Sequence, residues 1–155
     1  MDSMDEYWEM LTEEQIDFGE LPITTLKKLV YSVDPFIATG ALAELVARDK
    51  AEALTAAVDI LFNHLPDKYL QAQAFNITYY YNKERALEYI IKSAATCDMV
   101  VLNAIIQELC IDAKYIAAHN PMEYVDAVKN RLLKITAAEY PEPKLLKEFF
   151  KLFGG

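Results

Sequence analysis

Asp34-Pro35-Phe36-Ile37 and, 33 positions later, Asp67-Lys68-Tyr69-Leu70 open two stretches of the same design. Each breaks internally 15 positions after its opening Asp, at Asp49-Lys50 in the first and Asn82-Lys83 in the second. A fresh apolar pattern at helical spacing follows each break. A looser third copy starts at Asp98, 31 positions after Asp67. Repeated units of roughly 30 to 45 residues, each holding two helices, are the pattern of an α-solenoid. The expected fold class is therefore all-α.

Alignment on the breaks extends the pattern in both directions. In the first helices Ile37, Leu70 and Val101 coincide, as do Ala41, Ala74 and Ile105, and Leu42, Phe75 and Ile106. In the second helices Leu26 matches Leu54, Leu87 and Val125, Leu29 matches Ala57, Ile90 and Val128, and Val33 matches Leu61, Ala94 and Leu132. Val30, Val58 and Ile91 share a position where the last copy has Lys129. Repeats then run from about residue 22, with Pro22 at a first helical position, to about 133. Asp34, Asp49, Asp67, Asn82, Asp98 and Asn120 stand where caps belong, since a short polar side chain can accept from the unpaired N–H groups of a first turn. The third copy has 22 positions between its caps, which leaves open a longer first helix or an inserted turn over Ala113 to His119. Tyr140-Pro141-Glu142-Pro143 ends the series, and about residues 143–153 read as an amphipathic helix able to cap it. No linker divides the chain, so a single domain, 1–155, of about four hairpins plus this capping helix is expected.

Charge is distributed less evenly than apolarity. The first 20 residues carry Asp2, Asp5, Glu6, Glu9, Glu13, Glu14, Asp17 and Glu20, and no Lys or Arg precedes Lys27. That segment holds −8 of a net charge of −9. A helix over about Asp5 to Ile16 and a turn at Asp17-Phe18-Gly19-Glu20 are expected. Nucleic-acid binding needs a basic footprint, so no direct nucleic-acid contact is expected. No apolar run of about 18 residues occurs, and the acidic start lacks the form of a secretory signal. The expectations are no membrane span, a cytoplasmic location and a monomer on its own.

Chemistry leaves little trace. No metalloprotease, phosphate-loop, nucleophile-elbow or dinucleotide motif occurs, so no catalytic, metal or cofactor residues are assigned. His64 and His119 fit carboxyl ends of helices, where an imidazolium meets the negative end of the dipole. Cys97 and Cys110 read as small core residues of a reduced protein. Tyr79-Tyr80-Tyr81 must turn one or two rings inward and at least one outward, either as packing or as an exposed anchor.

Two surfaces remain as binding candidates. One is the acidic segment, where Tyr7, Trp8 and Phe18 lie among Glu13, Glu14 and Asp17. It is either a solvated face or a surface that steers and docks a basic partner. The other is the outer side of the second helices, where Lys27 and Tyr31, Thr55 and Asp59, Glu88 and Lys92, and Asp126 and Asn130 recur with Glu52, Arg85 and Glu123. Such faces bind partners in solenoids, and they are also often plain solvated surface.

Asp34-Pro35 through Arg48-Asp49, Lys50-Ala51-Glu52-Ala53-Leu54 through Leu61, and Lys83-Glu84-Arg85-Ala86-Leu87 resemble HEAT-like repeats. Tetratricopeptide repeats fit less well, because their Trp, Leu-Gly and Tyr positions are missing. On size, charge and fold class, with no motif carrying it, the chain also resembles immunity proteins of bacterial contact-dependent or polymorphic toxin systems. This second resemblance implies a non-enzymatic protein that covers the basic active site of a toxin domain with carboxylates. Two other readings stand beside it: an adaptor holding a peptide or helix in its concave groove, and a nucleic-acid repair enzyme of HEAT-like fold.

Overall fold

The computed structural model describes residues 16–63, 67–118, 122–135, 140 and 142–154. The expected first helix lies outside the described residues, and with it Tyr7, Trp8, Glu13 and Glu14. His64, His119 and Asn120 lie outside them too. The described residues are all-α, with no strand among them. After a 3₁₀ turn at Phe18–Glu20 come α1 (Ile23–Leu29), α2 (Pro35–Arg48), α3 (Lys50–Phe62), α4 (Lys68–Tyr81), α5 (Lys83–Ser93), α6 (Met99–Ile111), α7 (Ala113–Ala118), α8 (Met122–Leu133) and α9 (Pro143–Phe153). The chain forms two compact units, Met1–Ile77 and Thr78–Gly155.

Local chemistry explains where these helices begin. The first N–H groups of a helix lack intrahelical acceptors. Asp34 Oδ1 accepts from Phe36 N at 2.9 Å and Ile37 N at 3.4 Å. Asp49 accepts from Glu52 N at 3.1 Å, Asp67 from Leu70 N at 2.7 Å, Asn82 from Arg85 N at 3.3 Å and Asp98 from Val100 N at 2.8 Å. All five expected caps among the described residues are made. Asp49 and Asn82 each interrupt the chain by a single residue, with φ/ψ of −152°/89° and −147°/78°.

In the first unit α2 packs against both α1 and α3. Ile37, Ala38, Ala41, Leu42 and Leu45 of α2 are fully buried, and Ala53, Ala57, Ile60 and Leu61 of α3 meet the same condition. Full burial of a leucine or isoleucine is worth about 1.5–3 kcal/mol, so these residues contribute a large share of the unit's apolar stabilisation. Gln73 Nε2 of α4 donates to the Thr39 carbonyl of α2 at 3.0 Å. The Phe18 ring rests on Gly40 of α2, where an added Cβ would come within 2.6 Å of it. Arg48 donates to the Leu21 carbonyl. Phe18, read from the sequence as part of either a solvated face or a docking surface, is half-buried against α2.

In the second unit α5 packs on α8 and α6 packs on α9. Arg131 of α8 donates to the Ala94 carbonyl at 2.9 Å and so occupies an acceptor at the end of α5. Tyr140 is buried and donates its hydroxyl to Asn103 Oδ1 of α6 at 3.0 Å. Phe149 anchors α9 with no exposed surface, while Lys144, Lys147 and Lys151 face solvent.

Several expectations need correction. Pro22 is the N-cap of α1, and the helix starts one residue later. Val33, expected on the apolar face of α1, is 88% exposed, because that helix stops at Leu29 and leaves it in the following turn. Ile91 is exposed although its counterpart Val30 is fully buried. The open question about the third copy resolves as an insertion: α6 is 13 residues long, and α7 is an extra helix after it.

Asp49→Ala and Asn82→Ala are each expected to lower unfolding free energy by about 1 kcal/mol, and the double variant by the sum. Urea unfolding followed by circular dichroism checks this. A change under a few tenths of a kcal/mol at either site would show that these breaks do not depend on their caps.

Candidate functional site

The outer side of the second helices was the candidate surface that the described residues reach. In the first unit, α1 and α3 present it. Lys27 Nζ lies 3.2 Å from Glu52 Oε2, and Tyr31 donates its hydroxyl to Asp59 Oδ2 at 2.7 Å. Asn63 also donates to Asp59. Partial burial, then the hydrogen bond and charge of Asp59, push the Tyr31 phenol up to about 12. These pairs tie two second helices together side chain to side chain. Each exposed pair is worth at most about 1 kcal/mol, so their main effect is to fix where the carboxylates point.

In the second unit Glu88 stands on α5 between Arg85, at 2.5 Å, and Lys92, at 2.9 Å. Hydrogen bonds from Arg85 and then Lys92 hold its carboxyl below the ordinary glutamate range. Asp126, Glu123 and Asn130 are exposed on α8. Asp17 is exposed and accepts from Gly19 N at 3.2 Å as cap of the 3₁₀ turn. Of the acidic residues singled out from the sequence, Glu52, Asp59 and Glu88 are thus engaged within the chain, and Asp126 presents itself to solvent.

A second polar group was not anticipated. Lys83, the first residue of α5, sits at the helix end where a cation is disfavoured. Its Nζ is 2.5 Å from Asp112 Oδ2, and Tyr79 donates to the same oxygen at 2.8 Å. The Tyr115 ring lies beneath the ammonium, 3.8 Å from Nζ to ring centre. Tyr115 belongs to the inserted α7, so the insertion completes the enclosure of Lys83. Tyr79 is the inward ring of the tyrosine run and Tyr80 the outward one, at 4% and 80% exposure. The only hint in the sequence was the irregular cap spacing, which left open either a longer first helix or an inserted turn after Asp112.

Burial pushes the Cys97 and Cys110 thiols up to about 11, which leaves them protonated and poorly nucleophilic at neutral pH. Cys97 is buried and Cys110 half-buried. Among the described residues no three His, Cys, Asp or Glu side chains come close enough to hold a metal ion, and no helix is long and apolar enough to cross a membrane.

Glu108 of α6 is half-buried beside this cluster. Burial, then the Asp112 carboxylate, raise its carboxyl above the ordinary range against the pull of Lys83. A raised carboxyl favours the protonated fold, so its contribution is best below the unfolded pKa and is lost as pH rises through the folded one. Glu108→Gln is therefore expected to raise the melting temperature at neutral pH by roughly 1–4 °C. The gain should shrink toward zero by about pH 4. A gain that stays constant across that range would mean that titration of Glu108 is not its cause.

No family model, no curated protein and no solved structure matches the chain.

Proposed function

We propose that this chain is a non-enzymatic protein-binding protein, built as a solenoid of about four HEAT-like hairpins and closed by α9 as a capping helix. Its concrete role is that of a bacterial immunity protein, cytoplasmic and monomeric on its own. It neutralises a toxin domain by covering a basic active site with carboxylates. The observation that carries this reading is the charge distribution, −8 in the first 20 residues against −1 in the remaining 135. A charge concentrated in one segment steers a cationic partner and raises its association rate, which a uniform negative charge does less well.

The packing within each unit supports the scaffold part of the reading. In the first unit, second helix meets second helix through Lys27–Glu52 and Tyr31–Asp59, and first meets first through Gln73 and Thr39. In the second unit α5 meets α8, again second on second, and α9 lies on α6 as a further first helix would. Like stacking on like is how a solenoid propagates.

Capture from the native host, with the whole chain as bait, is expected to recover a protein with a basic surface. Its association should slow as ionic strength rises. The combined Glu13→Lys, Glu14→Lys and Asp17→Lys variant should associate about tenfold more slowly at low salt, with a flatter salt dependence. An unchanged rate would remove the acidic segment from the mechanism.

A further inference from the structure

The first unit closes its core before its chain runs out of apolar residues. Leu26, Leu29 and Val30 of the α1 end are buried, yet Tyr31 and Val33 immediately after them are exposed. Phe36 and Tyr69, in the first turns of α2 and α4, are exposed as well, at 65% and 60%. Among the described residues of this unit these are all of the large apolar side chains left to solvent. Scattered exposed residues need no explanation, but Tyr31 and Val33 line one cleft, and Phe36 and Tyr69 are chain neighbours of its lining residues Pro35 and Leu70.

A cleft of about 330 Å³ opens there. Val30, Val33, Pro35, Ala38 and Leu70 give it apolar walls, with Asp67 and Tyr31 at its polar edge. This is the low end of the range for ligand pockets, with room for one or two side chains and little more. The hydroxyl of Tyr31 holds Asp59 beside the cleft at 2.7 Å, and Asp34 lies between Val33 and Pro35 in the chain. Among the described residues, the ion pairs leave Asp34, Asp59 and Asp67 without a lysine or arginine partner. Lys68 instead lies over the Tyr69 ring, 5.5 Å from its centre.

An apolar floor with a negative rim complements one kind of occupant. We infer that this cleft docks a segment of the basic partner, an apolar side chain entering it while flanking Lys or Arg side chains meet Asp59 and Asp67. The inference rests on the functional reading above for the partner's charge, and adds to it a place on the first unit. The turn is held by hydrogen bonds of its own: Asp34 N donates to Ser32 Oγ at 3.1 Å, while Asp34 Oδ1 accepts from the first turn of α2. Little ordering then remains to oppose binding.

The test uses the full chain and a fluorescein-labelled peptide, Arg-Arg-Leu-Trp-Leu-Arg-Arg, with a counterpart carrying Glu in place of Arg. Fluorescence anisotropy should show the arginine peptide bound at least tenfold more tightly. Val33→Lys with Phe36→Lys should weaken it at least tenfold, with a melting curve like that of the wild type, since both positions are exposed. Equal binding of the two peptides, or no binding of either, overturns the inference. So does a wild-type dimer in sedimentation that Val33→Lys dissociates, which would give the cleft to a second copy. Arginine-peptide binding kept in Val33→Lys/Phe36→Lys but lost in the Glu13→Lys, Glu14→Lys and Asp17→Lys variant overturns the cleft alone, and the acidic-segment reading then stands.

Discussion

A helix in water leaves the N–H groups of its first turn without acceptors, and at the starts of α2 to α6 this chain meets that constraint with one short polar side chain each. The demand is sharpest at Asp49 and Asn82. The backbone N–H of Asp49 still donates to Leu45, and that of Asn82 to Thr78, so each residue ends one helix. Each side chain then opens the next helix. With a single residue between helices there is no loop to adjust, and the turn geometry alone sets the direction of the second helix. The two backbones agree to within about 11° in both angles. Placement of the apolar seams depends on these turns, because an uncapped junction could continue as one longer helix and rotate every later residue away from its partner.

That constraint explains which parts of the fold were legible. Ile37, Leu70 and Val101, then Ala41, Ala74 and Ile105, then Leu42, Phe75 and Ile106, occupy equivalent positions and are all buried, none above 4% exposure. They follow the caps directly, so counting from an Asp gives the facing of each side chain. Counting failed at Val33 for a related reason. Its place on a helical face required α1 to continue past Leu29, and nothing in the residue types forces it to do so. Ser32 and Asp34 instead compete for the backbone there, as short polar side chains do at turns.

The polar sites were less legible than the core. Glu52, Asp59 and Glu88 are half-exposed on their helices, and helical spacing is enough to read that much. Their partners were not readable: Tyr31 and Asp59 lie 28 positions apart, and Tyr79 and Asp112 lie 33 apart. Pairs across helices depend on how far each helix extends and on the rotamers of long side chains, and neither leaves a spacing rule. The enclosure of Lys83 adds a further dependence, because its covering ring comes from a helix that the repeat does not contain.

Internal pairing also bears on where a partner would engage. Glu88 is flanked by two cations of its own helix and Glu52 by one, so a cationic partner would have to displace interactions already made. Exchanging one exposed ion pair for another gains little. Asp67 and Asp34 differ, because their hydrogen bonds run to backbone N–H groups and leave further acceptor sites on each carboxylate. Beside them the cleft offers apolar area whose burial is worth about 25 cal/mol per Å². Binding there would cover Val33, which folding leaves in water, and would bring a partner's cation to carboxylates without breaking an ion pair. Among the described residues of the first unit, the turn region therefore carries fewer of the chain's own ion pairs than the charged edge that the repeat pattern first draws attention to.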